Sequence, residues 1–488
     1  MTKYRTNTTP LFPDFHLSTL RRSPRSAQQK RREELDELSR KRLDHLANLF
    51  KDFIPADELA PKAEGAGSRE RHYSQSNTFW AFLQQVWSGD GSCQEAVHRI
   101  IELAEAKGMN TLPSTNTSAY TQARRRLGLD DLWSILYHGA GAMELEVNEV
   151  FPDERPWIVV DGTSFSMPDT AENQNMWPQP SNQKPGIGFP VMRAVATFSL
   201  GSGAILDAET GSLHEHEANL FRKMHSGFTK GDILLGDRGF CGWQSMAELL
   251  KEGVDTVFRL HGMRKVVGAK HAEKCLGEGD LLIKQARPFW QAKRGFDKKE
   301  WNALPEELLL RQVSFRVDIP GFRSEEVHLV TTLLDAETYP KELLMRMYLR
   351  RWRIEVVFRD IKYSMGWELM RCKSPEMIQR EFAMMLIGYN AIRHLQLRAA
   401  NREGLSLDAI SFKSTLQVVR IWEKRFRETK SKQRESTDLM LQQIASVLLP
   451  NRPNRAEPRV KKRRPKKVRL MTKPRRELKR EMLEKVAA

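Results

Sequence analysis

The sequence predicts a mixed α/β protein whose sheet is flanked by helical segments on its N-terminal and C-terminal sides. Three patterns carry that prediction. Two apolar runs, WIVVD at 157–161 and DILLGD at 232–237, have the texture of buried strands, and each ends in a carboxylate. Between and after them, hairpin-like and helix-like segments alternate, as in a sheet with helices packed on it. A run over residues 341–365 then contains neither Pro nor Gly and reads as one long helix.

Taken in order, residues 1–68 form a basic arm, with a charged helical stretch over 26–53 and a linker-like PKAEGAGS at 61–68. Residues 69–150 are helical throughout, with helices expected near 77–86, 94–106, 118–126 and 130–143 and caps at Ser76, Ser92 and Ser118. The third of these, SAYTQARRRL, follows a polar turn and carries Arg124 and Arg125. It suits the reading helix of a DNA-binding bundle, and equally a basic helix whose arginines are simply solvated. Residues 151–261 begin the α/β core: the first strand, a hairpin over 191–200 and 204–209, a helix over 213–223, the second apolar run, a helix over 243–251 and a strand over 254–260, five strands in all. Residues 262–340 read as a β-rich insertion containing a hairpin around Pro320-Gly321, and residues 341–400 complete the core. Residues 401–450 form a helical C-terminal region. Residues 451–488 form a basic tail, punctuated by Pro453, Pro458, Pro465 and Pro474 and expected to be disordered when free. No internal repeat is evident.

Composition narrows the function classes. With 488 residues and 40% apolar content the chain can build several cores. Its net charge of +17 is uneven, because residues 451–488 hold 16 Lys and Arg against 4 Glu. Such a tail is the electrostatic footprint of a polyanion partner, most often nucleic acid. Four cysteines, Cys93, Cys241, Cys275 and Cys372, are too few and too dispersed for a disulfide framework or a zinc motif, which fits a reducing compartment. The N-terminus has no uninterrupted apolar stretch, and the most apolar segment, 382–397, is interrupted by Asn390, Arg393 and His394. Neither export nor membrane spanning is expected, so the reading is a cytoplasmic protein.

The long helix concentrates chemistry on one face. At about 100° per residue, Tyr348, Arg351, Glu355 and Lys362 fall at about 0, 300, 340 and 320°, inside a stripe of about 60°. Leu343, Met347, Ile354, Val357 and Ile361 form the neighbouring apolar stripe, with Arg350 as its exception. Read alone, the charged face is a solvated surface in which Glu355 pairs with Arg351 and Arg359. Two isolated aspartates upstream tip the balance. A carboxylate at the end of a central strand sits at the mouth of an α/β sheet, where ligands bind. Asp161 and Asp237 both occupy such positions, and Glu355 follows on a helix able to pack across that mouth. Either aspartate alone also fits a turn or capping residue. Together with Glu355 they form a hard, oxygen-only donor set suited to Mg²⁺, with Mn²⁺ able to substitute. Two such cations, roughly 3.5 to 4 Å apart, relieve the mutual repulsion of the acids and activate the attacking and leaving oxygens of a phosphodiester.

Tyr348, Arg351, Glu355 and Lys362 reproduce the Y-x2-R-x3-E-x6-K signature of bacterial insertion-sequence transposases. The chain therefore resembles the insertion-sequence-four group over roughly residues 110–400, with Asp161 in IVVDGT and Asp237 in LLGDRGF similar to the first two acids of the DDE triad. The resemblance implies a ribonuclease H-like core interrupted by a β-rich insertion, with Asp161, Asp237 and Glu355 as catalytic residues binding two Mg²⁺. It implies that Tyr348, Arg351 and Lys362 contact the phosphates of the transposon end, and that a homodimer engages double-stranded DNA at two ends. The implied activity is recognition of terminal inverted repeats, cleavage to a 3′-OH, and joining of that end to target DNA, in the bacterial cytoplasm at the nucleoid. A ribonuclease H-like endonuclease without strand transfer, and a catalytically silent DNA-binding relative, are the alternatives. Arg238 is a further candidate DNA contact, or an outward arginine at a turn. Trp290 and Trp301 are candidates for stacking on an extruded base, or for core packing. His214 and His216 in HEHEAN lack a third soft ligand, and the basic run at 461–467 reads as non-specific attraction to DNA.

Overall fold

The computed structural model describes residues 49–55, 57–60, 72–106, 109, 111–290, 297–317, 325–351, 353–425, 430–450 and 470–487. The N-terminal arm up to residue 48, the segment 61–68, the Pro320-Gly321 turn and the basic run at 461–467 lie outside the described residues.

Four helices precede the sheet: α1 (Gln75–Trp87), α2 (Cys93–Ala106), α3 (Ser118–Arg126) and α4 (Leu129–Glu144). Ser74, not Ser76, caps α1 by accepting the Asn77 N–H at 3.2 Å. Thr117, not Ser118, stands at the cap position of α3.

The five expected core strands form as β1 (Trp157–Ser166), β2 (Val191–Ser199), β3 (Ile205–Ser212), β4 (Ile233–Gly236) and β5 (Asp255–Arg259), with α5 (Ala171–Met176), α6 (Glu217–Lys223) and α7 (Trp243–Lys251) between them. Their order is β3-β2-β1-β4-β5. β1 runs parallel to β4, and β4 to β5, whereas β2 is antiparallel to both its neighbours. The segment between β5 and residue 340 contributes β6 (Lys274–Gly277), β7 (Asp280–Ala286), α8 (Lys298–Asn302), β8 (Glu307–Val317) and β9 (Glu325–Thr331). These strands do not form a separate sheet. β9 pairs with β5, and the order continues as β9-β8-β7-β6 in one nine-stranded sheet.

The alternation of β1 divides the protein into layers. Trp157 and Val159 belong to the large core shared with the N-terminal and C-terminal helices, whereas Ile158 and Val160 pack with Leu220 and Phe221 of α6 and Trp243 and Met246 of α7. At the centre of the large core lies α11 (Pro375–Glu403), a 29-residue helix with Pro375 in its first turn and Gly404 closing it in the left-handed conformation, φ 64°. Gly388 lets α1 approach it closely: a Cβ there would stand 2.8 Å from Val86 and 3.2 Å from the Trp87 ring nitrogen. That nitrogen donates to the Gly388 carbonyl at 2.9 Å, and the Asn390 amide satisfies both the N–H and C=O of Ile205 at 2.8 and 2.9 Å. Helices α12 (Phe412–Arg425) and α13 (Lys430–Ala445) pack on α11.

Three expectations are corrected. The single helix over 341–365 is divided into α9 (Lys341–Arg351), α10 (Arg353–Arg359) and a π-helical turn, Asp360–Ser364. The Met365 N–H reaches the Asp360 carbonyl, five residues back, at 2.9 Å. Such a turn takes up an extra residue, so the uniform 100° rotation does not hold as far as Lys362. β1 does not stop at Asp161 but continues to Ser166, because β2 pairs with it along that whole length. Finally, the end of the basic tail is helical, α14 (Arg475–Ala487), in a stretch without proline where Arg480 and Glu484 lie one turn apart at 3.7 Å.

Candidate active site

The two aspartates are brought together by strand register. The parallel pairing of β1 and β4 ends at Val160 and Gly236, so Asp161 and Asp237 are the next residues on adjacent strands. Asp161 therefore marks the end of the parallel ladder, although not of its own strand. Each carboxylate accepts the N–H of the following residue, Gly162 at 2.8 Å and Arg238 at 2.6 Å. Asp161 lies on the same face of β1 as Val159, towards the large core. Burial pushes its carboxyl up to about 6; Arg351 and the Gly162 N–H pull it down, and the charges of Asp237 and Glu217 add to the rise.

Helix α9 brings the cationic partners to that face. The Arg351 guanidinium, 4% exposed, stands 3.7 Å from the Asp161 carboxylate and 5.3 Å from the centre of the Tyr348 ring. Tyr348 is fully buried, and burial raises its phenol, with Arg351 opposing and Asp237 assisting. The Tyr348 hydroxyl and Arg351 Nε find no hydrogen-bond partner among the described residues. Lys362, half-buried, holds its ammonium 5.2 Å from the Phe165 ring, on the same face of β1, and desolvation lowers its pKa. Tyr348, Arg351 and Lys362 thus gather along the Asp161 face, although α9, α10 and the π turn replace the single helical stripe. This face is desolvated rather than solvated. Glu355 is placed on α10, which packs against β1; its side chain lies outside the described residues.

Other candidates are distributed differently. Arg238 is exposed and lines a cavity of about 1180 Å³ with Arg193, Arg264, Lys265 and Lys284. Arg124 does not project from its helix. It is 4% exposed, its guanidinium lies 4.8 and 5.1 Å from the Phe82 and Tyr120 rings, and it donates towards Gln85 and Cys93, so it holds the helical bundle together. Arg125 is exposed, 3.7 Å from Glu376. Trp301 is buried against Trp243, which makes it a core residue. Trp290 remains at the surface near the Lys298 ammonium. His216 stands at the cap of α6, and among the described residues no three His, Cys, Asp or Glu side chains are grouped to hold a metal. The oxygen-only pair Asp161 and Asp237, facing buried unpartnered donors, fits a hard dication and its phosphate ligand. Glu217, whose carboxylate lies against Gly162, carries no signal in the sequence, because an acid in the first turn of a helix ordinarily answers the helix dipole.

Comparison with known proteins matches residues 152–391 to the family described as Transposase DDE domain. The chain is 25% identical over 383 residues to the transposase InsG for insertion sequence element IS4 of Escherichia coli (strain K12), covering 76% of this chain and 82% of that protein. It is 24% identical over 230 residues to the putative transposase InsZ of the same organism, covering 45% and 73%. A cryo-EM structure of the piggyBac transposase synaptic complex with hairpin DNA aligns over 85% of this chain and 86% of that one, with 11% identity and a TM-score of 0.38.

Proposed function

Because the chain belongs to the DDE transposases of the insertion-sequence-four group, metal-dependent enzymes of DNA cleavage and transfer, we propose that it binds the terminal inverted repeats of its element, cuts them to a 3′-OH and joins that end to target DNA. The observation that carries this reading is the pairing of Asp161 and Asp237 at matching positions on adjacent parallel strands, with Arg351 and Tyr348 buried against them. The strand order β3-β2-β1-β4-β5, with β2 alone reversed, supports a ribonuclease H-like core. Its insertion continues the sheet.

Asp161, Asp237 and Glu355 would hold two Mg²⁺, which supply activation of the attacking oxygen and stabilisation of the leaving one. In the first step water attacks phosphorus at the element end, the bond to the 3′ oxygen breaks, and that oxygen leaves as the 3′-OH. In the second step this hydroxyl attacks a target phosphodiester in line, and the target's own 3′ oxygen departs. Arg351 and Lys362 neutralise non-bridging oxygens, and the Tyr348 hydroxyl donates to the strand. A duplex bearing the inverted repeats that flank the reading frame tests the proposal. Mg²⁺-dependent nicking, and joining of a pre-cut end to plasmid, are expected; nicking without joining would leave only an endonuclease.

Tyr348→Phe isolates the phenol. Removing a buried hydroxyl that has no partner should leave the melting temperature unchanged or slightly raised, while a lost hydrogen bond to phosphate slows cleavage by about tenfold. A fall in stability with unchanged cleavage would assign Tyr348 to the core.

End binding falls, in the same proposal, to the helical region before the sheet. Arg125 and Arg126 are its exposed cations on α3, with Arg124 excluded by burial. Arg125→Ala should weaken binding to end-bearing and unrelated duplexes alike and reduce the salt slope by about one, read from binding isotherms between 50 and 200 mM salt. An unchanged slope would remove Arg125 from the interface. Two protomers on two ends would complete the working complex.

A further inference from the structure

Resting on the metal-site reading above, we propose that Glu217 is a further oxygen ligand of the divalent cation at Asp161, entering from the face of the sheet opposite to α10. The carboxylate of Glu217 lies directly over Gly162: a Cβ on that glycine would stand 2.7 Å from its Cδ and 2.8 and 3.0 Å from its two oxygens. A Cβ on Gly239 would stand 3.9 Å from Oε2 of the same group. These glycines follow Asp161 by one residue and Asp237 by two. Both acid motifs are therefore cut back to glycine where the Glu217 carboxylate enters.

The alternation of β1 makes the approach two-sided. Asp161 shares its face with Val159 and α9, and Gly162 shares the other with Val160 and α6, the helix that Glu217 begins. Near Glu217 the nearest described cation is Arg193, with Nε 3.7 Å from Oε1, longer than the roughly 2.7 to 2.9 Å of a charge-assisted hydrogen bond. A loose contact of this kind releases its carboxylate readily to a cation. The independent sign that this spot receives a ligand comes from the opposite face, where the Tyr348 hydroxyl and Arg351 Nε, on side chains more than nine-tenths buried, lack partners among the described residues. A dication at Asp161 with a phosphate oxygen on it would answer those donors and the Glu217 charge together.

The test uses the full-length protein with Mn²⁺ alone as probe, binding being followed by titration calorimetry and by the electron paramagnetic resonance of free Mn²⁺. Glu217→Gln keeps the shape and removes the charge; it should weaken Mn²⁺ binding by roughly tenfold or more, with the melting temperature in EDTA unchanged. Gly162→Ala, whose methyl occupies the place of the carboxylate, should weaken it similarly while leaving Glu217 intact. If Asp161→Asn loses Mn²⁺ and Glu217→Gln binds it like the parent, this assignment is overturned and the metal site stands. If Asp161→Asn also binds like the parent, the metal-site reading falls and this assignment with it.

Discussion

Asp161→Asn is expected to abolish strand cleavage and joining while raising the thermal stability of the metal-free protein. The loss should reach at least a thousandfold, about 4 kcal/mol of transition-state stabilisation, because the variant cannot hold the dication on which both displacements depend. Binding of an end-bearing duplex in EDTA should stay within about twofold of the parent. The gain in stability has the opposite origin. Burial holds Asp161 at about 6 in the folded protein, against its ordinary 3.8. Its contribution is thus complete below about pH 3.8 and is lost as the pH rises through about 6. Asparagine, uncharged at every pH, imitates the protonated acid. At pH 7 and without metal the variant should therefore gain on the order of 1 to 3 kcal/mol, seen as a melting temperature higher by a few degrees. That advantage should shrink as the pH falls towards 4. A variant both inactive and less stable at pH 7 would make Asp161 a structural residue.

Arg311→Ala is expected to be the most damaging single substitution in the extended half of the sheet. Arg311, on β8, is fully buried and grips Asp280 on β7 through Nε and Nη2 at 2.7 and 2.5 Å. Its Nη1 donates to the Tyr339 carbonyl at 2.7 Å, tying the two strands to the chain that enters α9. Truncation leaves the Asp280 carboxylate, 8% exposed, without its counter-ion, which costs about 3 to 5 kcal/mol. Thermal or urea unfolding should show this, and Arg311→Leu combined with Asp280→Leu should recover much of the loss because both charges are then gone. A single variant within about 1 kcal/mol of the parent would mean that the pair adds nothing net to stability.

Much of the site is legible in the chain because its chemistry is local. The runs before Asp161 and Asp237 are apolar enough to be strands, and the spacing from Tyr348 to Lys362 survives as a set of side chains on one face of β1. What escapes is set by distant partners. That Asp161 pairs beside Asp237 depends on a parallel register 76 residues apart. Arg124 looks like one of three solvated cations until Phe82 and Gln85, some 40 residues upstream, close over it. Strands of the insertion are visible from their alternation, whereas the β5–β9 pairing that fuses them to the core joins residues over 70 apart. Glu217 is missed for the same reason: only the folded chain lays it on Gly162.

The two borders of the nine-stranded sheet bear on how the protein behaves when crowded. At one border β3 is packed by α4, whose Tyr137 hydroxyl donates to Asp207 at 3.0 Å. At the other, β6 is four residues long, irregular between Cys275 and Gly277, and carries an exposed lysine at its start. A short, kinked, charged rim and a covered one offer little template for backbone pairing between copies. Molecules accumulating at high local concentration should consequently resist fibrillar self-association.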